Sequence, residues 1–327
     1  MDAIEASGLV KTFPSRGDAA PVEAVAGIDL GIREGEIFGF LGPNGAGKTT
    51  CVRVLTTLTK PRAGSARVGG FDVVRQAQQV RRTIGVALQD VGLDARATGR
   101  ELLELQHRLY GGRGDETAHR AAELMELVGL ADAADRRIQT YSGGMKRRLD
   151  LASALVHRPR ILFLDEPTSG LDPASRRTVW DEVRRLNRDD GITVFLTTQY
   201  LEEADELARR VAIIDVGKIV AQGTPTQLKG SIGADVVTVS VPAARVARAE
   251  KALAGLKGLK EMRVHEQSVT LFIPNGSAAV ATVVRLLDDA KVRVESITVA
   301  SPTLDDVFLR ATGHRIEGAT APTEEVA

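Results

Sequence analysis

Gly42-Pro43-Asn44-Gly45-Ala46-Gly47-Lys48-Thr49-Thr50 is the stretch on which the reading of the fold rests. It satisfies the spacing G-x-x-x-x-G-K-[ST], with Gly42, Gly47, Lys48 and Thr49 in the fixed places. Upstream, Glu36-Ile37-Phe38-Gly39-Phe40-Leu41 is an apolar run of strand length. Downstream, Thr50-Cys51-Val52-Arg53-Val54-Leu55 reads as the start of a helix. Strand, glycine loop and helix is the context in which this spacing cradles a phosphate. Glycines let the backbone curl until several N–H groups point at one anion. The helix start adds unpaired N–H groups and a partial positive charge. On this reading Lys48 brings full charge to the β- and γ-phosphates, and the Thr49 hydroxyl ligates Mg2+.

The chain has 327 residues, 43% hydrophobic and 26% charged, a mix that suits two soluble globular domains. Lys+Arg and Asp+Glu balance at 43 each, so no basic footprint marks nucleic acid as a partner. The single cysteine, Cys51, rules out an internal disulfide and fits a reducing compartment. It is either a small buried filler or a reactive thiol. The five histidines are dispersed without metal-ligand spacing. Met1 to Ala6 lacks the basic and apolar regions of a signal peptide. No apolar run reaches the ~18 residues of a membrane span. A role at a membrane would therefore need a partner that crosses it.

Outward from the loop, Ile4 to Phe13 and Val22 to Ile32 read as strands around a loop from Pro14 to Pro21. Phe13 either stacks on a purine, worth about 1–3 kcal/mol, or fills the core. Ile84 to Gln89 reads as a strand ending on Gln89, whose carbonyl can reach Mg2+ or hold a water; a surface glutamine is the plainer alternative. Residues 98–157 read as helical. Leu102, Leu105 and Leu109 form one apolar stripe, and Ala121, Leu124, Met125 and Val128 a second, ended by Gly129. Both read first as core.

Tyr141-Ser142-Gly143-Gly144-Met145 opens another helix. Ser142 caps it, and the two glycines leave its first N–H groups bare, a second anion site unless the serine is simply a cap. Ile161-Leu162-Phe163-Leu164-Asp165-Glu166 reads as a strand buried on both faces that ends in two acids. At the carboxyl end of a strand beside a phosphate loop, Asp165 would hold the Mg2+ shell and Glu166 the attacking water. Ser169 to Pro173 turns into a helix, and Ile192 to Thr198 is a further buried strand ending at Gln199.

The order of these motifs resembles the nucleotide-binding subunit of an ATP-binding cassette (ABC) transporter, over roughly residues 4–225. The resemblance implies a P-loop NTPase α/β core with a helical insert at about 90–157. It implies ATP and Mg2+ as ligands, with Thr49, Gln89 and Asp165 on the metal. It implies a homodimer that sandwiches two ATP head to tail, Ser142, Gly143 and Gly144 of one copy facing the γ-phosphate on Lys48 of the other. Gly42 to Thr50, Gln89 and Asp172 would line the nucleotide, Phe13 would stack on adenine, and Lys48, Glu166 and Gln199 would carry hydrolysis. Two positions depart from the family pattern. Tyr141 and Met145 replace the ends of Leu-Ser-Gly-Gly-Gln, and Gln199 stands where a histidine is usual, so the switch residue can donate a hydrogen bond but carries no proton. Tyr-Ser-Gly-Gly-Met together with Thr-Thr-Gln-Tyr-Leu-Glu-Glu-Ala-Asp resembles the drug-export branch typified by daunorubicin resistance.

From Asp235 the pattern reads β-α-β-β-α-β, a ferredoxin-like α+β module, followed by a helix begun by Ser301-Pro302-Thr303 and ending similar to the same branch. The expected organisation is a nucleotide-binding domain at 1–228, an accessory domain at 232–312 and a flexible tail at 313–327. The expected activity is ATP hydrolysis that drives efflux of a drug, antibiotic or lipid-like compound through a separate transmembrane permease, the chain lying peripherally on the cytoplasmic face of the membrane. A soluble ATP switch or a weakly hydrolysing module is the alternative.

Overall fold

The computed structural model describes residues 2–14, 21–89, 92–233 and 235–314. The loop expected from Pro14 to Pro21 falls largely outside them, as does most of the tail expected at 313–327. The chain divides into two compact units, Met1–Thr224 and Pro225–Ile316.

The first unit opens with β1 (Asp2–Phe13), β2 (Val22–Arg33), β3 (Ile37–Leu41) and α1 (Lys48–Leu55). β4 (Ala63–Val68), β5 (Phe71–Asp72), α2 (Ala77–Thr83) and β6 (Ile84–Ala87) lead into three helices, α3 (Gly99–Leu109), α4 (Gly114–Leu127) and α5 (Gly143–Ala154). β7 (Ile161–Asp165), α6 (Pro173–Asp190), β8 (Thr193–Thr198), α7 (Leu201–Leu207), β9 (Arg210–Asp215) and β10 (Lys218–Gly223) complete it.

Two sheets result. An antiparallel sheet runs β2-β1-β4-β5, and a larger one runs β10-β9-β3-β8-β7-β6. In the larger sheet β9, β3, β8, β7 and β6 are parallel, and β10 adds an antiparallel edge as a hairpin with β9. Every residue of β3, β7 and β8 is buried, which is why these strands read as unbroken apolar runs. Phe38, Phe40 and Phe163 surround Phe195 at centroid distances of 6.0, 5.5 and 5.4 Å. Parallel register carries three carboxyl ends to one edge: Leu41 pairs with Thr198, and Asp165 with Thr197. Gly42, Glu166 and Gln199 leave the sheet from that edge, where open α/β sheets place their ligands.

The apolar stripe expected on α3 is only partly core. Leu102 and Leu103 are buried, whereas Leu105 is 56% and Leu109 77% exposed. The buried face centres between Leu102 and Leu103, which turns Leu105 away by roughly a third of a turn. The second stripe, on and just after α4, is buried throughout at Ala121, Leu124, Met125 and Val128. A capping box fixes the start of α3, with Thr98 accepting from the Glu101 N–H and the Glu101 carboxylate accepting from the Thr98 N–H.

The second unit comprises α8 (Pro225–Ile232), β11 (Asp235–Ser240), α9 (Val246–Leu253), β12 (Glu261–His265), β13 (Ser268–Ile273), α10 (Gly276–Asp289), β14 (Ser296–Ala300) and α11 (Leu304–Thr312). Its sheet order, β12-β13-β11-β14 with every pair antiparallel, is that of a ferredoxin-like module. Val237, Val239, Leu271 and Ile273 alternate onto one face and pack with Leu253, Val283 and Leu287 of α9 and α10. Thr303 caps α11 in a reciprocal box with Asp306, so Pro302 stands before the cap rather than in the first turn.

Candidate functional site

The loop after β3 is tight because its backbone has no room for side chains at two places. A Cβ on Gly42 would lie 2.3 Å from the Ile214 carbonyl oxygen, and one on Gly47 2.1 Å from that of Ala24. Gly47 also has φ +108°, which only glycine adopts without strain. It is the N-cap of α1 and has no side chain to cap it, so the first N–H groups of the helix face the loop without a side-chain acceptor. The Gly42 N–H donates to the Thr198 carbonyl at 3.2 Å and the Gly217 N–H to that of Ala46 at 2.9 Å, tying the loop to β8 and to the β9–β10 turn. Within the loop the Ala46 N–H donates to the Pro43 carbonyl at 3.3 Å. That turn leaves Asn44 and Gly45 exposed at its tip, while Ala46 is buried and Thr50 is half-buried in the first turn of α1.

Lys48 is buried at the base of this loop. Its ammonium donates to the carbonyls of Gly42 at 2.8 Å and Pro43 at 3.1 Å and pairs with Glu166 Oε1 at 3.2 Å. Burial lowers its pKa, and the Glu166 carboxylate opposes that. Glu166 has φ +50°, a left-handed conformation costing a non-glycine residue about 1–3 kcal/mol. Its N–H donates to both the carbonyl and hydroxyl oxygens of Thr197 at 3.1 Å, and its Oε2 accepts from Gln89 Nε2 at 3.3 Å. Lys48, Gln89 and Glu166 thus form one cluster, assembled from three separate segments.

Asp165 is fully buried. Its Oδ1 accepts from the hydroxyls of Thr49, at 3.3 Å, and Thr197. Its Oδ2 is buried with no hydrogen-bond partner among the described residues. A buried carboxylate oxygen left unpaired is costly unless something binds it. An adjacent carboxylate and hydroxyl are the hard oxygen donors that Mg2+ takes alongside phosphate oxygens. The residues therefore fit that ion. Gln199 follows β8, and its Oε1 is likewise buried without a partner among the described residues.

Other expected site residues lie further out. Phe13 ends β1 opposite Val22, two residues from the Ala24 that abuts Gly47; its ring is 39% exposed, with Lys11 Nζ 5.2 Å from the centroid. Ser142 caps α5 by accepting from the Met145 N–H at 3.2 Å, and Ser142 and Gly143 are exposed. No hydrogen bond or ion pair among the described residues joins Ser142, Gly143 or Gly144 to Gly42–Thr50 within the chain. Asp172 caps α6 by accepting from the Ser175 N–H at 2.9 Å and hydroxyl at 2.6 Å, contacts that lower its pKa.

Three buried polar residues are not legible as such in the sequence. Thr197, one residue before the end of β8, touches both Asp165 and Glu166. Arg147 is buried within a run, Lys146-Arg147-Arg148, that reads as solvated. Glu203 is fully buried and accepts from the Thr168 hydroxyl at 2.8 Å and Trp180 Nε1 at 2.9 Å; its position early in α7 reads as an ordinary acidic first turn.

A glycine loop at the carboxyl edge of a parallel sheet, closing on a buried lysine and faced by an unpaired aspartate oxygen, defines a P-loop nucleotide hydrolase. A family profile described as ABC transporter matches residues 25–169, and one described as ATP-binding protein DrrA1-3-like, C-terminal domain, matches residues 223–312. The chain is 46% identical to the daunorubicin resistance ATP-binding protein DrrA2 of Streptomyces coeruleorubidus over 98% of both chains. It is 45% identical to the daunorubicin/doxorubicin resistance ATP-binding protein DrrA of Streptomyces peucetius, over 99% of this chain and 96% of that one. A dimeric post-hydrolysis structure of the ATP-binding cassette MJ0796, bound to ADP and Pi, superposes with a TM-score of 0.63 at 26% identity, covering 68% of this chain and 98% of that one. The chain belongs to the ABC transporter ATP-binding family, and its chemistry is ATP hydrolysis.

Proposed function

We propose that this chain powers an exporter for a drug, antibiotic or lipid-like compound, dimerising around two ATP beneath a separate permease on the cytoplasmic face of the membrane. The relatives' names speak of drug resistance, and membership of the ABC transporter family supplies transport, which together support export. No helix among the described residues is long and apolar enough to cross a membrane.

The loop N–H groups and Lys48 bind the β- and γ-phosphates. Lys48 must then exchange its carbonyl and Glu166 contacts for phosphate oxygens, which frees the Glu166 carboxylate. Freed, Glu166 orients and deprotonates the attacking water, a role worth about 10²–10⁴-fold. Asp165 and Thr49, with Gln89 beside them, would hold Mg2+, which when bound neutralises charge on the β- and γ-oxygens. Gln199 donates its amide to the γ-phosphate, Asp172 shapes the loop towards the partner copy, and Phe13 stacks on adenine. Ser142, Gly143 and Gly144 present the bare start of α5 to the γ-phosphate held by the other copy.

The observation that carries this reading is the convergence of Lys48, Thr49, Gln89, Asp165 and Glu166 on one sheet edge. Phosphate release by the parent and by Glu166→Gln tests it. The variant should turn over at least about 100-fold more slowly while still binding ATP; equal rates would leave a binding module rather than an enzyme. Copurification with a membrane protein from a detergent extract, at native expression, tests the permease.

A further inference from the structure

The contacts of Arg147 are unusual for a residue five positions inside a helix. Its side chain is 8% exposed, and its three guanidinium nitrogens reach two other segments and one carboxylate of its own helix. Nε donates to the Pro167 carbonyl at 2.8 Å, Nη2 to the Asp165 carbonyl at 3.0 Å, and Nη1 to the Leu88 carbonyl and to Asp150 Oδ2 at 3.1 Å. Asp165 and Pro167 flank Glu166, and Leu88 precedes Gln89. One rigid fork on α5 therefore grips the backbone on both sides of Glu166 and directly before its hydrogen-bonded neighbour Gln89.

That grip falls where the backbone needs it. The left-handed φ of Glu166 persists only if its surroundings over-determine it. On the sheet side the Thr197 carbonyl and hydroxyl hold the Glu166 N–H. On the helical side the carbonyls of Asp165 and Pro167 have Arg147. The cation is itself held by Asp150, and its burial, which lowers its pKa, is offset in turn by Asp150, Asp165, Glu203 and Glu166.

We infer that Arg147 is a positioning residue for hydrolysis: it transmits the placement of α5 to Glu166 and Gln89 together, so that the water-activating carboxylate is in register only when the helix bearing Ser142 and Gly143 is. The inference rests on the roles proposed above for Glu166 and Gln89. Among the described residues no hydrogen bond or ion pair joins Arg147 to the phosphate loop or Lys48, so it affects the chemical step and leaves ATP binding alone. A lysine can keep the charge and one carbonyl contact but not the three-way fork.

The test compares Arg147→Met, Arg147→Lys and Glu166→Gln in the full chain, reading kcat for phosphate release, Kd for a fluorescent ATP analogue with Mg2+, and emission of Trp180, the only tryptophan. Loss of positioning should lower kcat about 100-fold in Arg147→Met and about 10-fold in Arg147→Lys, with Kd within about threefold of the parent in both. If Arg147→Met does not fold, shown by a red-shifted Trp180 emission, Arg147→Lys decides by the same criteria. A kcat within about threefold of the parent, or a parallel loss of kcat and ATP affinity, overturns the inference. Glu166→Gln separates the two levels: parental turnover in that variant removes the base assignment and the positioning role with it, whereas its inactivity beside a normal Arg147→Met removes only the latter.

Discussion

Removing the Glu203 carboxyl should unfold the first unit more easily by an amount the structure lets one work out. Glu203 Oε1 is the acceptor for Trp180 Nε1 at 2.9 Å and the Thr168 hydroxyl at 2.8 Å. The site is fully buried, so Glu203→Ala strands two donors without water. Each orphaned buried donor costs about 1–3 kcal/mol, so the two together cost about 2–6 kcal/mol. For a unit of this size that lowers Tm by roughly 4–24 °C. Glu203→Gln keeps the Oε1 acceptor and should cost about 1 kcal/mol. Burial raises the Glu203 pKa, against the hydrogen bonds from Trp180 and Thr168 and the charge of Arg176, which lower it. The native state thus holds this proton more tightly than the unfolded chain. The stability tied to it is complete below the unfolded value of 4.5 and is lost as pH rises through the higher native value. Glutamine does not titrate, so the parent should lose ground to Glu203→Gln as pH rises above the unfolded value of 4.5. Urea unfolding followed by far-UV circular dichroism, at several pH values, measures both effects. A cost below about 1 kcal/mol for Glu203→Ala, or a parent-to-glutamine gap that is flat with pH, would refute the argument.

Lys48→Ala removes charge-assisted contacts to two phosphates, about 1.5–3 kcal/mol each, and should weaken ATP binding at least about 100-fold by equilibrium titration; affinity within threefold of the parent contradicts the phosphate role. Gln199→Ala should lower turnover about tenfold with little change in ATP affinity, since a single neutral donor to the γ-phosphate is lost; a fall in affinity alone counts against a switch role. Burial pushes the Cys51 thiol up to about 12, so maleimide labelling at pH 8 should be at least about 100-fold slower in the native chain than in urea, and equal rates would show that this helix is not packed.

Much of the candidate site's local structure is legible in the sequence, because the signals are local. Gly42 to Thr49 encode a loop whose conformation follows from glycines five residues apart, and Ser142 encodes a cap whose acceptor and donor lie three residues apart. The unbroken apolar runs of β3, β7 and β8 announced strands covered on both faces. The extent of burial along α3 was not legible, because periodicity gives a helix its apolar stripe without saying how much of that stripe a neighbour covers.

Nor did any local signal mark Arg147 or Glu203. An arginine in a basic run and a glutamate in an acidic first turn look solvated, and they are buried only because distant segments supply their partners: Leu88 lies 59 residues from Arg147, and Thr168 lies 35 from Glu203. The pairing of Lys48 with Glu166 across the sheet edge is of the same kind. Backbone period, turn and cap arise from forces between near neighbours in the chain and are written into its order. The desolvation of a charge, and the partner that makes it tolerable, depend on which strands come to lie side by side, and only the folded chain settles that.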